Sequence, residues 1–475
     1  MRKLLMAVVL LLAWGVNASA QQFAASGLSN PSRLVFAFYE PSFGAYGNTV
    51  AGYTIEIQQA QTAGIDGFVM DMFCWDPATT CSTGGFDYRT IVGYMFQAAL
   101  NLNNGFKIIL AEDCQGSSGC AASGGLMMTM FANHPNYFHY NGRPVVSAFN
   151  DHLNTASGFS DNTFFTSWLG GITGAGFNPY FIPIFKLGTF VGGDPVTTYN
   201  NYLAGFTPWV QGMVQGLGSF TGFIPTLYQQ NVTAISQVAT SKGNLTFMNA
   251  VSSWFAILRL LAANQQSEFL EFNGGEGLAS LWSSIRTNNP PLVMVASWND
   301  YTESYMGPAS QADLTIADDG SWQITADYLF GHSGFTDLNR YYIQWWKTGV
   351  QPTWPDAMYV FYRIAPQSVV ASSSPITPPA VLWNPQGNAT LDDVYVTTIL
   401  KDSATMRVTS GGNVTDTSVG AGLVHTRVPF TVGAQSFDLI RNGVTLIHID
   451  GTPVVGSLTL YYNANPISYY AYSTP

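Results

Sequence analysis

Between Arg33 and Trp298, short apolar runs alternate with longer segments that are amphipathic or rich in turn residues. The runs are Leu34–Tyr39, Gly67–Met72, Lys107–Ala111, Pro144–Phe149, Tyr180–Phe185, Phe220–Ile224, Leu245–Ala250 and Leu292–Ser297, eight in all. Each has the length of a strand and is hydrophobic almost throughout. Such runs suit strands covered on both faces, as in a parallel sheet flanked by helices. The segments Tyr53–Ala63, Tyr88–Leu102, Gly125–Asn133, Val232–Lys242 and Glu276–Arg286 read as intervening helices. Gly64, Gly105 and Gly243 stand where three of them would end. Eight strands with crossovers over roughly 270 residues predict a (β/α)8 TIM barrel.

The pattern changes after the eighth run. A helix over Asp337–Thr348 and an extended segment at Met358–Tyr362 precede Pro366–Pro379, a Ser/Pro-rich linker. Beyond it lie short Thr/Val-rich alternations at Val394–Leu400, Thr405–Thr409, Gly422–Pro429, Ser436–Arg441, Val444–His448 and Ser457–Tyr462. Turns such as Gly411-Gly412-Asn413 separate them, which predicts an all-β sandwich. The domain reading is a barrel over residues 21–365, a linker over 366–379 and a sandwich over 380–475. Residues 1–20 read as an export signal, with Arg2 and Lys3, the apolar run Leu4–Val16, and Ala18-Ser19-Ala20 at the cleavage site.

Composition narrows the class of partner. Hydrophobic residues make up 47% of the chain and charged residues only 9%, against roughly a quarter charged in average soluble proteins. That excludes a disordered chain, which needs high charge and few apolar groups. There are 28 acidic and 17 basic residues, a net charge of −11, and no basic stripe to meet phosphates. Nucleic acid is therefore excluded as a partner. No segment after the leader is long enough to span a bilayer, so no membrane partner is expected either. A surface of hydroxyl, amide and aromatic groups suits a neutral polar ligand, and a secreted monomer is the expected state.

Export places Cys74, Cys81, Cys114 and Cys120 in an oxidising compartment, where two disulfides are expected. Of the three possible pairings, Cys74 with Cys81 and Cys114 with Cys120 closes the shortest loops. A zinc site lacks the necessary C-x2-C or histidine spacing. Sequons stand at Asn231, Asn244, Asn388 and Asn413.

In a barrel, chemistry sits at the C-terminal ends of the strands. Those ends carry Glu40, Asp71, Glu112-Asp113, Asn150-Asp151-His152, Lys186 and the segment Trp298-Asn299-Asp300-Tyr301-Thr302-Glu303. Carboxylates gathered at one rim without matching bases are costly unless they bind a metal or do acid/base work. The densest spot is Asp300/Glu303, flanked by Trp298, Tyr301 and Tyr305. Glycoside hydrolysis needs such a pair, one carboxyl held protonated for the leaving oxygen and the other ionised. Aromatic rings supply apolar faces for sugar C–H groups and a low dielectric that raises an acid's pKa. Other chemistries lack their signatures: there is no G-x-S-x-G elbow, no phosphate loop and no H-E-x-x-H. No cofactor or metal is expected. Among the scattered histidines, His332 follows the barrel on a loop before a helix.

Several segments, in order over nearly the whole mature chain, resemble glycoside hydrolase family 71, the α-1,3-glucanases or mutanases. They are Val35-Phe36-Ala37, AQTAGIDGF (Ala60–Phe68), HPNYFHYNGRPVVSAF (His134–Phe149), VSSWF (Val251–Phe255), SWNDYTES (Ser297–Ser304), YYIQWWKTGVQP (Tyr341–Pro352) and MYVFYR (Met358–Arg363). The resemblance implies a secreted endo-α-1,3-glucanase, an inverting hydrolase of α-1,3-glucan with a C-terminal β-sandwich. It carries the family's acidic pair onto Asp300 and Glu303. Glu40, Asp71, Asp113, Trp254, Trp298, Asn299, Tyr301 and His332 are the expected substrate contacts. The family usually has Gly where Thr302 stands and often His where Tyr305 stands, differences that concern substrate contacts. A related barrel hydrolase acting on another polysaccharide, such as a mannan, is the alternative enzyme reading. A catalytically silent carbohydrate-binding protein is the alternative class. Under the domain reading, a chain ending near Ala365 is expected to keep hydrolysing short soluble oligosaccharides.

Overall fold

The computed structural model describes residues 33–72, 75, 87–113, 120–149, 162–182, 184–186, 211–213, 247–251, 254–255, 267–270, 273–301, 306–307, 316–318, 322–324, 331–372, 381–383, 392–457 and 466–473. The first part of the chain supplies strands β1 (Leu34–Tyr39), β2 (Gly67–Met72), β3 (Lys107–Asp113), β4 (His139–Tyr140), β5 (Arg143–Phe149), β6 (Tyr180–Phe181), β7 (Ile184–Lys186), β8 (Gln211–Met213) and β9 (Phe247–Val251). Strands β10 (Trp254–Phe255), β11 (Ser267–Leu270) and β12 (Leu292–Ala296) follow. The main sheet runs β8-β7-β5-β3-β2-β1-β12-β9, every neighbouring pair parallel, with β4 and β6 also on β5. Strands β8 and β9, which end this order, approach one another.

The sheet is parallel for the reason the apolar runs suggest. All residues of β1, β2 and β12 are buried, so both faces are covered. Helices α1 (Val50–Thr62), α2 (Tyr88–Leu102), α3 (Cys120–Phe131), α4 (Asn162–Gly174) and α5 (Gly275–Asn288) supply the cover. In α2, Asp87 caps Thr90 and Asn103 closes the C-terminus in the left-handed conformation. Gly64 ends α1 at φ +87°, where any Cβ would also meet Ile343 at 2.9 Å.

One of the eight expected strands differs from the hydrophobic pattern. The fifth run divides into β6 and β7 around Pro183, a residue with no N–H to give a ladder. The run Phe220–Ile224 and the helix Val232–Lys242 lie outside the described residues. The strand following β7 in the sheet is β8, whose sequence Gln-Gly-Met carries no apolar signal.

Helix α6 (Ser333–Thr348) follows a short hairpin of β13 (Ile316–Asp318) and β14 (Trp322–Ile324). Then come β15 (Ala357–Tyr362), helix α7 (Gln367–Ser372) and β16 (Val381–Trp383). The rest is β17 (Asp393–Leu400), β18 (Ala404–Ser410), β19 (Asn413–Val419), β20 (Gly422–Pro429), β21 (Gly433–Arg441), β22 (Val444–Val454) and β23 (Ile467–Tyr472). They form two antiparallel sheets, β20-β17-β15-β23 and β19-β18-β21-β22. Residues of both sheets share one buried cluster. The expected turn is present: Ser410 pairs with Asn413, and Gly411 and Gly412 take φ +55° and +87°, as a two-residue hairpin requires.

Strand β15, which the domain reading leaves with the barrel, hydrogen-bonds to β17 and β23. Its alternate side chains serve two cores. Met358, Val360 and Tyr362 join the cluster between the antiparallel sheets, whereas Ala357, Tyr359 and Phe361 join the cluster of the parallel sheet and its helices. Within the expected linker, α7 is helical, and β16 just beyond it pairs in parallel with β11.

Candidate active site

Register aligns the acidic strand ends. Tyr39 pairs with Met70, and Asp71 with Ala111, so Glu40 and Asp71 close adjacent strands at one level. The faces follow from alternation. Tyr39 points at α1, its ring 6.2 Å from that of Tyr53. Glu112 points at α3 and α4, accepting from the Ser123 hydroxyl and, at 2.6 Å, from Trp168 Nε1. Glu40 and Asp71 therefore lie on the other face, away from the helices, and both are buried. Of the two acids that end β3, Glu112 belongs to the helix layer, and position 113 comes two residues beyond Ala111.

The segment after β12 is held from several sides. The Trp298 N–H donates to the Phe38 carbonyl of β1 at 2.7 Å, and the Trp298 carbonyl accepts from Gly307 at 2.8 Å. Met306 N–H donates to Ser297 O at 2.9 Å, so the chain returns to its own starting point. The four residues between Tyr301 and Met306, Glu303 among them, lie outside the described residues. Asn299 bridges to the end of β1, accepting from Glu40 N–H and donating to Glu40 O, both at 2.8 Å, and to Phe43 O at 3.1 Å. Asp300 is buried, and its N–H donates to Ser297 Oγ at 2.7 Å.

Both aromatic neighbours of Asp300 turn inward. Trp298 is 1% exposed, packs near Phe68 and donates from Nε1 to Glu56 at 3.2 Å. Tyr301 is fully buried and joins the cluster of β15 and the antiparallel sheets. Here they act as apolar walls on two sides of the Asp300 backbone rather than as open platforms. His332 is buried at the start of α6, its ring 5.5 Å from that of Phe335. Thr336 ties that helix to the same loop by donating to the Met306 carbonyl. Trp254 lies on β10 and Asp113 at the end of β3, but their side chains are outside the described residues, as are those of all four cysteines.

One residue escaped the sequence reading. Glu56, on α1, is fully buried, and both its oxygens accept hydrogen bonds, Oε1 from Ala45 N–H at 2.7 Å and Oε2 from Trp298. Burial pushes its carboxyl up to about 7, against the pull of these donors. Its signal was present: it falls on the buried stripe Tyr53, Glu56, Ile57, Ala60, where an acid is out of place.

This chain is similar to known proteins over nearly its whole length. A glucan endo-1,3-alpha-glucosidase of Schizosaccharomyces pombe is 25% identical over 451 residues, covering 92% of this chain and 95% of the relative. A mutanase of Penicillium rubens is 27% identical over 421 residues, 86% of this chain and 82% of its own. Among solved structures, the GH99 endo-alpha-mannosidase of Bacteroides thetaiotaomicron is similar over 66% of this chain and 97% of its own, at 12% identity and a TM-score of 0.44. The profile of glycosyl hydrolase family 71 matches residues 31–474, and to that family the chain belongs.

Proposed function

We propose that this glycoside hydrolase is a secreted endo-α-1,3-glucanase that cleaves α-1,3-glucosidic bonds with inversion. Family membership and the names of the relatives support the substrate. The observation that carries the assignment of the acids is the self-closing segment from Ser297 to Gly307. Asp300 lies on a segment whose described ends are bonded together, beside the strand ends that bear Glu40 and Asp71, and Glu303 follows it three residues on in the sequence. The approach of β8 to β9 supports closure of the parallel sheet into a (β/α)8 barrel, with this loop at its C-terminal rim.

In this reading Glu303 is the general acid and protonates the departing glycosidic oxygen. Asp300 is the base that takes a proton from the attacking water. Inversion needs room for that water, so the two carboxyl groups should lie about 6.5–9.5 Å apart. Glu40, Asp71 and Asp113 offer acceptors to sugar hydroxyls, and Trp254 and His332 complete the contacts. The antiparallel sheets act as an accessory β-sandwich. Asp300→Asn and Glu303→Gln should each lower kcat on α-1,3-glucan by about 10²-fold or more with binding retained. NMR of fresh product should show the β-anomer first; initial α-product would make the mechanism retaining and remove Asp300 from the water-activating role.

A further inference from the structure

Helix α1 reaches the candidate loop from the outer side of the sheet. It grips the segment after β1 in two buried places: Tyr53 donates from its hydroxyl to Pro41 O at 2.8 Å, and Glu56 accepts from Ala45 N–H. The second oxygen of Glu56 accepts from the indole of Trp298, two residues before Asp300. One carboxylate thus links the loop after β1 to the loop after β12, on the side opposite Glu40 and Asp71. Trp298 is already bonded through its backbone at both N–H and C=O. Its side chain is the remaining freedom, and Glu56 removes it.

We infer that Glu56 is a positioning residue for the reaction, setting the place of Asp300 through the Trp298 indole. This rests on the reading of Asp300 as a reacting group. A carboxylate suits the task because it offers acceptors on both oxygens to donors from two loops. An amide at the same place would turn its NH2 toward one of those donors. The groups around Glu56 leave its charge as the local variable. Tyr39 of β1 and Tyr53 of α1 are held well above the ordinary tyrosine range by burial, so both stay neutral; Tyr88 of α2 and Tyr301 after β12 stand beside them.

Two measurements on the full chain test this. In protein labelled with ¹⁵N-tryptophan, the Trp298 Nε1–H resonance, assigned by its loss in Trp298→Phe, should shift with a midpoint near pH 7. It should stop doing so in Glu56→Gln. On a soluble α-1,3-oligosaccharide, Glu56→Gln should lower kcat about tenfold or more with KM little changed, as a small misplacement of a reacting group does. The loss should nearly vanish when Trp298 is already Phe. Multiplying losses in the double variant, a wild-type kcat in Glu56→Gln, or an indole resonance indifferent to Glu56 would each overturn the inference. If Glu56→Gln does not fold, Glu56→Asp, which keeps the charge but falls short of the indole, should give the same kcat loss and the same coupling. Wild-type activity in Asp300→Asn would instead refute the reading of Asp300, whatever the indole resonance does.

Discussion

The side-chain amide of Asn299 pairs with the backbone of Glu40 as a neighbouring strand would, accepting from its N–H and donating to its carbonyl at 2.8 Å each. Parallel pairing between β1 and β12 runs as far as Ala37 and Val295, the Trp298 N–H then bonds the Phe38 carbonyl, and the amide adds a further tie between the loops beyond. The consequence is that the acidic end of β1 and the Asp300 segment move together.

Removing that amide should be costly. Asn299→Ala strips partners from buried backbone groups of Glu40 and from the Phe43 carbonyl. An expected loss of about 1–3 kcal/mol follows from the hydrogen bonds removed, the Glu40 carbonyl keeping the Phe43 N–H at 3.1 Å as a donor. Thermal unfolding of the variant, with kcat measured well below its midpoint, checks both the stability and the alignment.

Stability should respond to pH through Glu56. Its folded value near 7 lies above the ordinary 4.5, so the folded state holds the proton more tightly than the unfolded chain. The contribution is full below about pH 4.5, declines as pH rises through 7, and then levels off, a change of about 3 kcal/mol. Unfolding free energies from pH 4 to 8 should lose this segment in Glu56→Gln. Parallel curves for the two proteins would refute it.

A chain ending at Ala365 is expected not to fold, contrary to the expectation drawn from the linker. It would keep β15 but lose β17 and β23 on either side, exposing Met358, Val360 and Tyr362, and would leave Tyr301 without much of its cluster. Gel filtration and circular dichroism decide this; a monodisperse, active fragment would reverse the expectation.

Two short-loop disulfides, Cys74 with Cys81 and Cys114 with Cys120, should be found by peptide mapping without reduction. Each should add about 2–3 kcal/mol by restricting the unfolded chain. A crossed pairing or free thiols would dismiss the local scheme.

The parallel sheet was legible in the sequence because burial on both faces leaves an unbroken apolar run. Leu34–Tyr39 and Gly67–Met72 are strands over the very residues the pattern marks. The candidate pair Asp300/Glu303 stands out in the sequence because acids are scarce in this chain. Strand β19 was not: its Asn-Val-Thr-Asp-Thr-Ser-Val is largely exposed, so no apolar period marks it, and the hairpin through Gly411-Gly412 with β18 defines it. The sequence by itself therefore determined the run of strands, the family and the candidate acids, since these depend on residue type and local spacing. Only tertiary structure decided that β15 belongs to two cores, that Glu112 faces the helices, and that Asn299 and Glu56 hold one loop from opposite sides. Those outcomes depend on hydrogen bonds between residues as many as 259 positions apart, which no local pattern encodes.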